Sequence, residues 1–149
     1  MATSSSRLPA GVIVVRPGEG RQYDCGPMQS AFLADGEESG NRYSVSIWWV
    51  SPGRPGPGAH SHEANEELFY VIEGMMTFLV GDQYIDAEPG TFIRVPAGVT
   101  HDFENRTRQR AGVLNVFIPG GFEVQMPAIV EWFRAHAATK DCAGIREGR

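Results

Sequence analysis

Six short apolar runs, each closed by glycine or proline, set what this chain can fold into. VIVV is followed by RPGEG, YSVSIWWV by SPGRPGPG, LFYVI by EG, MTFLV by GDQ, TFIRV by PAG, and AGVLNVFI by PGG. Strand-length runs punctuated this way predict an all-β sandwich or barrel. The Val, Ile, Phe, Tyr and Trp that fill them suit a pleated, half-buried surface better than a helix. VGDQY, residues 80–84, reads as a tight hairpin. One helix is expected, over about residues 126–138. Pro127 suits a first helical position, and Met126, Ile129, Val130, Phe133 and Ala137 recur at helical spacing, with Trp132 widening the stripe. The stripe reads as a packing face and His136 as an ordinary helix-end residue.

The chain has 149 residues, enough for one domain with a real core and too few for two ordinary ones. Residues 1–10 are Ser-rich and expected to be flexible, leaving residues 11–149 as a single domain. The net charge is −5, and no basic stripe is present, which argues against nucleic acid as a partner. RTRQR, residues 106–110, reads as a solvated turn. No stretch approaches the ~18 apolar residues of a membrane span, and MATSSSRLPA lacks the apolar segment of a secretory signal. A soluble, cytoplasmic protein is expected. Cys25 and Cys142 read as two unrelated reduced thiols.

Four histidines occur in the chain, and two of them, His60 and His62, stand one residue apart in GAHSHEANEELFYVIEG. Side chains two apart on a strand share a face, so both imidazoles can aim at one point. Two imidazoles alone do not distinguish a metal site from an exposed loop. Glu67 sharpens the reading. A turn at Ala64-Asn65 would return it to the same side, where it would share the inward face of a new strand with Phe69 and Val71. A carboxylate facing a barrel interior is costly unless paired or bound to a cation. Glu63 and Glu66 read as solvated rim charges. In GTFIRVPAGVTHDFEN, Pro96 and Gly98 make a tight turn that delivers His101 to the start of a strand, with Phe103 and Asn105 on its face. Three imidazoles and a carboxylate suit zinc, iron, manganese, nickel or cobalt rather than calcium or magnesium.

These two stretches resemble the two cupin motifs. The first runs His60-x-His62, four residues, Glu67, six residues, Gly74; its usual opening glycine is Arg54 here, flanked by Gly53 and Gly56. The second matches at Gly90, Pro96, Gly98, His101 and Asn105. IVVRPGEG, FYVIEG and GGFE extend the resemblance to small single-domain cupins related to quercetin dioxygenase. It implies a double-stranded β-helix, a jelly-roll barrel with a C-terminal helix, and a divalent transition metal on His60, His62, Glu67 and His101. Phe69 and Phe103 would line the substrate pocket, with Tyr43 and one of Trp48 and Trp49 contributing. The resemblance implies a dioxygenase acting on a small aromatic or polyphenolic molecule, with Glu67 leaving the metal to accept the substrate proton. The alternatives are a non-oxidative cyclase or isomerase and a non-catalytic binding module. A homodimer is expected through the outer face that carries Leu68, Tyr70 and Ile72.

Overall fold

The computed structural model describes residues 7–136. The predicted Ala137, the last part of the expected helix, Cys142 and the first six residues of the expected flexible start lie outside them. The described residues form nine strands: β1 (Arg21–Asp24), β2 (Met28–Ala34), β3 (Ser44–Val50), β4 (Glu66–Glu73), β5 (Met76–Val80), β6 (Gln83–Ala87), β7 (Phe92–Val95), β8 (His101–Glu104) and β9 (Ala111–Ile118). A short helix α1 (Gly36–Ser39) follows β2, and a 3-10 turn (Glu123–Gln125) leads into α2 (Met126–Ala135). One sheet has the order β1-β2-β3-β9-β4-β7 and the other β6-β5-β8, and every pairing is antiparallel. This is the all-β cupin barrel with a C-terminal helix. No helix among the described residues is long and apolar enough to cross a membrane.

Alternation along β3 and β4 sets which side chains reach the interior. On β4, Glu67, Phe69 and Val71 are buried, while Tyr70 and Ile72 face out, the period of two expected of a half-buried strand. On β3, Trp48 points inward and Trp49 outward, where the Arg110 guanidinium lies 4.0 Å from its ring centre. The sheets meet across Phe69, Phe78, Phe103 and Trp48. Phe69 lies 5.2 Å from Phe78 and 5.9 Å from Phe103, and Trp48 lies 6.5 Å from Phe103. Two residues, Gly81 and Asp82, join β5 to β6, with Gly81 at φ 63°, as a tight hairpin requires.

Two features depart from the sequence pattern. VIVV, residues 12–15, forms no strand, and Val12, Ile13 and Val14 are about half exposed. Among the described residues β1 is the edge of its sheet and pairs with β2 alone, so VIVV does not extend the sheet, and apolar letters alone do not make a strand. Conversely, β2 lies at the centre of the core in MQSAFLA, where Gln29 and Ser30 interrupt the apolar run. RTRQR is a turn in which two of the three arginines are paired: Arg106 with Glu104 at 2.7 Å and Arg110 with Glu73 at 2.8 Å. Cys25 is buried, which pushes its thiol up to about 11.

Candidate metal centre

The two histidine motifs are joined through their backbones. His60 N–H donates to the His101 carbonyl at 3.0 Å, and His101 N–H returns the bond to His60 at 2.8 Å. Residues that exchange both bonds sit directly opposite each other, with side chains on one side of the ladder. Gly98, at φ 83°, turns the chain ahead of β8 and donates its N–H to the His62 carbonyl at 2.8 Å. The imidazole centroids therefore cluster: His60 to His101 is 4.4 Å, His60 to His62 5.0 Å, and His62 to His101 5.6 Å. A bend at residues 63–64 resets the parity of the chain, so Glu67 enters on the inner face of β4. One ligand atom from each of His60, His62, Glu67 and His101 lies within 4.8 Å of the others.

Hydrogen bonding orients these donors. The Nδ1 atoms of His60 and His101 donate to the carbonyls of Gly58 (2.7 Å) and Val99 (2.9 Å). A carbonyl only accepts, so each ring carries its proton on Nδ1 and turns Nε2 toward the centre, the tautomer a metal ligand needs. His62 Nε2 is buried with no hydrogen bond among the described residues and lies 3.4 Å from Glu67 Oε2. Glu67 Oε2 contacts His101 Nε2, and Oε1 accepts from Asn115 Nδ2 at 3.2 Å. Burial works against the Glu67 charge, but the adjoining His101 and His62 rings outweigh it and hold the carboxyl at about 2. Burial also opposes charge on His101, yet Glu67 raises its pKa. Burial lowers that of His60, keeping its ring neutral. The set is an anion facing three imidazoles, one with an unsatisfied buried nitrogen. Those residues fit a first-row transition ion such as zinc, iron, manganese, nickel or cobalt.

Neighbouring residues hold this arrangement. Asp102 Oδ1 accepts from Gly58 N–H at 3.0 Å, fixing the loop ahead of His60. At the position of the usual opening glycine, Arg54 contributes its carbonyl to the Asn105 N–H at 3.1 Å, a contact any residue can make. The glycine that the loop requires is Gly56, where a Cβ would meet the Phe103 carbonyl oxygen at 1.8 Å. The Asn105 side chain ties down the turn after β8 through Val50, Thr107 and Gln109. Phe69 and Phe103 are buried and share with Trp48 and Asn115 the lining of an inner cavity of about 40 Å³. Tyr43 lines neither this cavity nor the larger one that opens beside it. That outer cavity, of about 280 Å³, lies between His60 and His62 on one side and Ile129, Trp132 and Phe133 of α2 on the other.

Sequence reasoning missed two groups here. Asn115 was legible as the lone amide inside AGVLNVFI. Phe122, Gln125, Ile129 and Trp132 were not, because a helix stripe reads as packing until its neighbours are known. Met126 and Phe133 do pack into the core, while Trp132 stays half exposed. His136 lies outside the cluster, its ring stacked on Trp132 at 4.3 Å.

A cupin domain model matches residues 46–117, a span that contains all four clustered donors. Quercetin 2,3-dioxygenase from Bacillus subtilis (strain 168) is 29% identical over 137 residues, 88% of this chain and 39% of that protein. The chain thus spans about two fifths of that relative's length. Among solved structures, KdgF from Halomonas sp. is 17% identical with a TM-score of 0.66, over 76% of this chain and 98% of that one. The polyketide cyclase RemF from Streptomyces resistomycificus is 24% identical with a TM-score of 0.63, over 72% and 79%. At these identities the two structures speak for the fold alone. Barrel topology, both histidine motifs and the domain match agree, and residues 46–117 of the chain are a cupin domain.

Proposed function

We propose that this chain is a metal-dependent dioxygenase of quercetinase type, acting on a small hydroxylated aromatic molecule. His60, His62, Glu67 and His101 would hold one divalent transition ion. The observation that carries the reading is the convergence of their four donor atoms within 4.8 Å, with two of the rings fixed in the ligating tautomer. The likeness to quercetin 2,3-dioxygenase supports the choice of oxygen chemistry. A bound ion would supply Lewis acidity toward a substrate oxygen. Glu67, the carboxylate of the cluster, accepts the proton of the substrate hydroxyl as general base. Asn115 holds the other carboxylate oxygen, so the base keeps its aim while the first oxygen exchanges partners. The aromatic walls exclude water from the reacting face.

The test is metal analysis of untagged protein paired with an oxygen electrode. Bound metal near one ion per chain is expected, with quercetin consumed in step with oxygen. Glu67→Gln keeps part of the metal and loses about 10²–10⁴-fold in turnover, the range for a general base. Quercetin turnover that continues without oxygen would remove the dioxygenase assignment and leave the metal site standing.

A further inference from the structure

The two cavities differ in what they can hold. At about 40 Å³, the inner one has room for roughly three water molecules, whereas a single aromatic ring needs on the order of 150 Å³. The outer one, at about 280 Å³, holds roughly two such rings. Pro57, His60 and Phe122 border both. Phe122 is anchored from behind by Phe32 (6.1 Å, stacked), Phe117 (5.1 Å) and Trp48 (6.2 Å), and its ring lies 6.5 Å from that of His62. It divides the histidine cluster's small inner space from its wide vestibule.

The far wall of the vestibule is α2, and the approach to α2 is pinned. The Asp35 carboxylate accepts the N–H groups of Gly121 and Glu123, both at 2.6 Å. Glu123 accepts in turn from Arg21 at 2.6 Å and Tyr23 at 2.7 Å. On this fixed wall Trp132 is 47% exposed. Its indole is braced against the His136 ring at an interplanar angle of 17°. An aromatic side chain lining a cavity beside a buried donor cluster is a wall suited to a planar ligand.

We propose that the ligand's aromatic body lies in this vestibule, with Trp132 and Phe122 as its binding surfaces, and that Trp132 determines specificity. The ligand is a planar hydroxylated molecule of at least two rings. One oxygen-bearing end reaches His60 and His62, and the opposite ring lies on the indole. A small aliphatic acid would leave these walls wet and is not favoured. The placement rests on the proposed metal-centre reading only for the anchoring oxygen.

Isothermal calorimetry tests it, with quercetin and oxalate as probes, on EDTA-stripped and zinc-loaded protein. The chains compared are wild type, Trp132→Ala, Trp132→Phe and, as a surface aromatic on β6, Tyr84→Ala. Wild type binds quercetin in both forms, more tightly with zinc. Trp132→Ala raises the quercetin Kd about tenfold or more in both forms, the loss expected of one aromatic face. Trp132→Phe recovers most of that loss, and Tyr84→Ala changes nothing. Zinc content and circular dichroism stay the same throughout. Equal quercetin affinity in Trp132→Ala and wild type overturns the proposal, as does a wild type that binds oxalate but not quercetin, or neither. A chain that takes up no zinc defeats the metal reading alone, because the Trp132 effect on stripped protein is still measured.

Discussion

Asn115→Leu isolates what one buried amide contributes to the metal centre. Asn115 stands on β9 opposite Phe69 of β4, is 6% exposed, and donates Nδ2 to Glu67 Oε1 at 3.2 Å. Leucine is close to it in size and shape but has nothing to donate. A hydrogen bond to a charged group contributes about 1.5–3 kcal/mol. At about 1.4 kcal/mol per factor of ten, metal affinity should fall roughly ten- to a hundredfold, the range typical of groups that orient ligands without touching the ion. The assay is competition for Zn²⁺ against a chromophoric chelator, with circular dichroism to establish that the barrel is intact. The Glu67 carboxyl should titrate higher in the variant, because it has lost a donor to its charged form. A folded Asn115→Leu protein that holds zinc within about threefold of wild type would refute the claim that the amide positions Glu67.

Four further outcomes are expected. His60→Ala and His62→Ala should each strip most metal from a folded barrel while His136→Ala strips none, read as metal per chain; full metal in the first two would return HSH to an ordinary loop. Gly56→Ala should lower the thermal midpoint by an amount equivalent to about 1–3 kcal/mol, since its Cβ would meet backbone at 1.8 Å; an unchanged midpoint contradicts this. Glu123→Gln should cost less than about 1 kcal/mol at pH 7, because Arg21 is half exposed and such pairs are screened. The folded Glu123 carboxyl titrates below its ordinary value near 4.5, so that difference is full above pH 4.5 and fades as acid protonates the wild type; a difference that grows in acid has the wrong sign. Finally, we expect a homodimer through the outer face, where Tyr70 on β4 pairs with Phe92 on β7 and both are exposed. Tyr70→Lys/Phe92→Lys should halve the sedimentation mass, and a wild type sedimenting as one chain at micromolar concentration would exclude the dimer.

The candidate donors were legible in the sequence because they depend on short-range rules. Period two on LFYVI, a turn before Glu67 and a Pro-Gly turn before His101 are local, and the structure carries all three. The parity of Trp48 and Trp49 was not legible, since it depends on the register of β3 against β2 and β9. VIVV stays outside the sheet despite its apolar letters, whereas MQSAFLA is a strand because β1 and β3 pair with it on both sides. The role of α2 escaped for a related reason. Its stripe does pack, through Met126 and Phe133 in the core and Ile129 and Val130 against it, but only the placement of α2 over the barrel shows that Ile129 and Trp132 also border the histidines.

The reciprocal backbone bridge between His60 and His101 bears on how firmly an ion can be gripped. Those residues are forty-one positions apart in the chain. Bringing two such points together in a flexible polypeptide costs about 3 kcal/mol in loop-closure entropy alone. The barrel has met that cost before any ion arrives. The ligands therefore behave as a rigid macrocyclic chelator rather than an open-chain one. Their grip on a metal should collapse with the cooperative unfolding of the sheet, and not fade donor by donor.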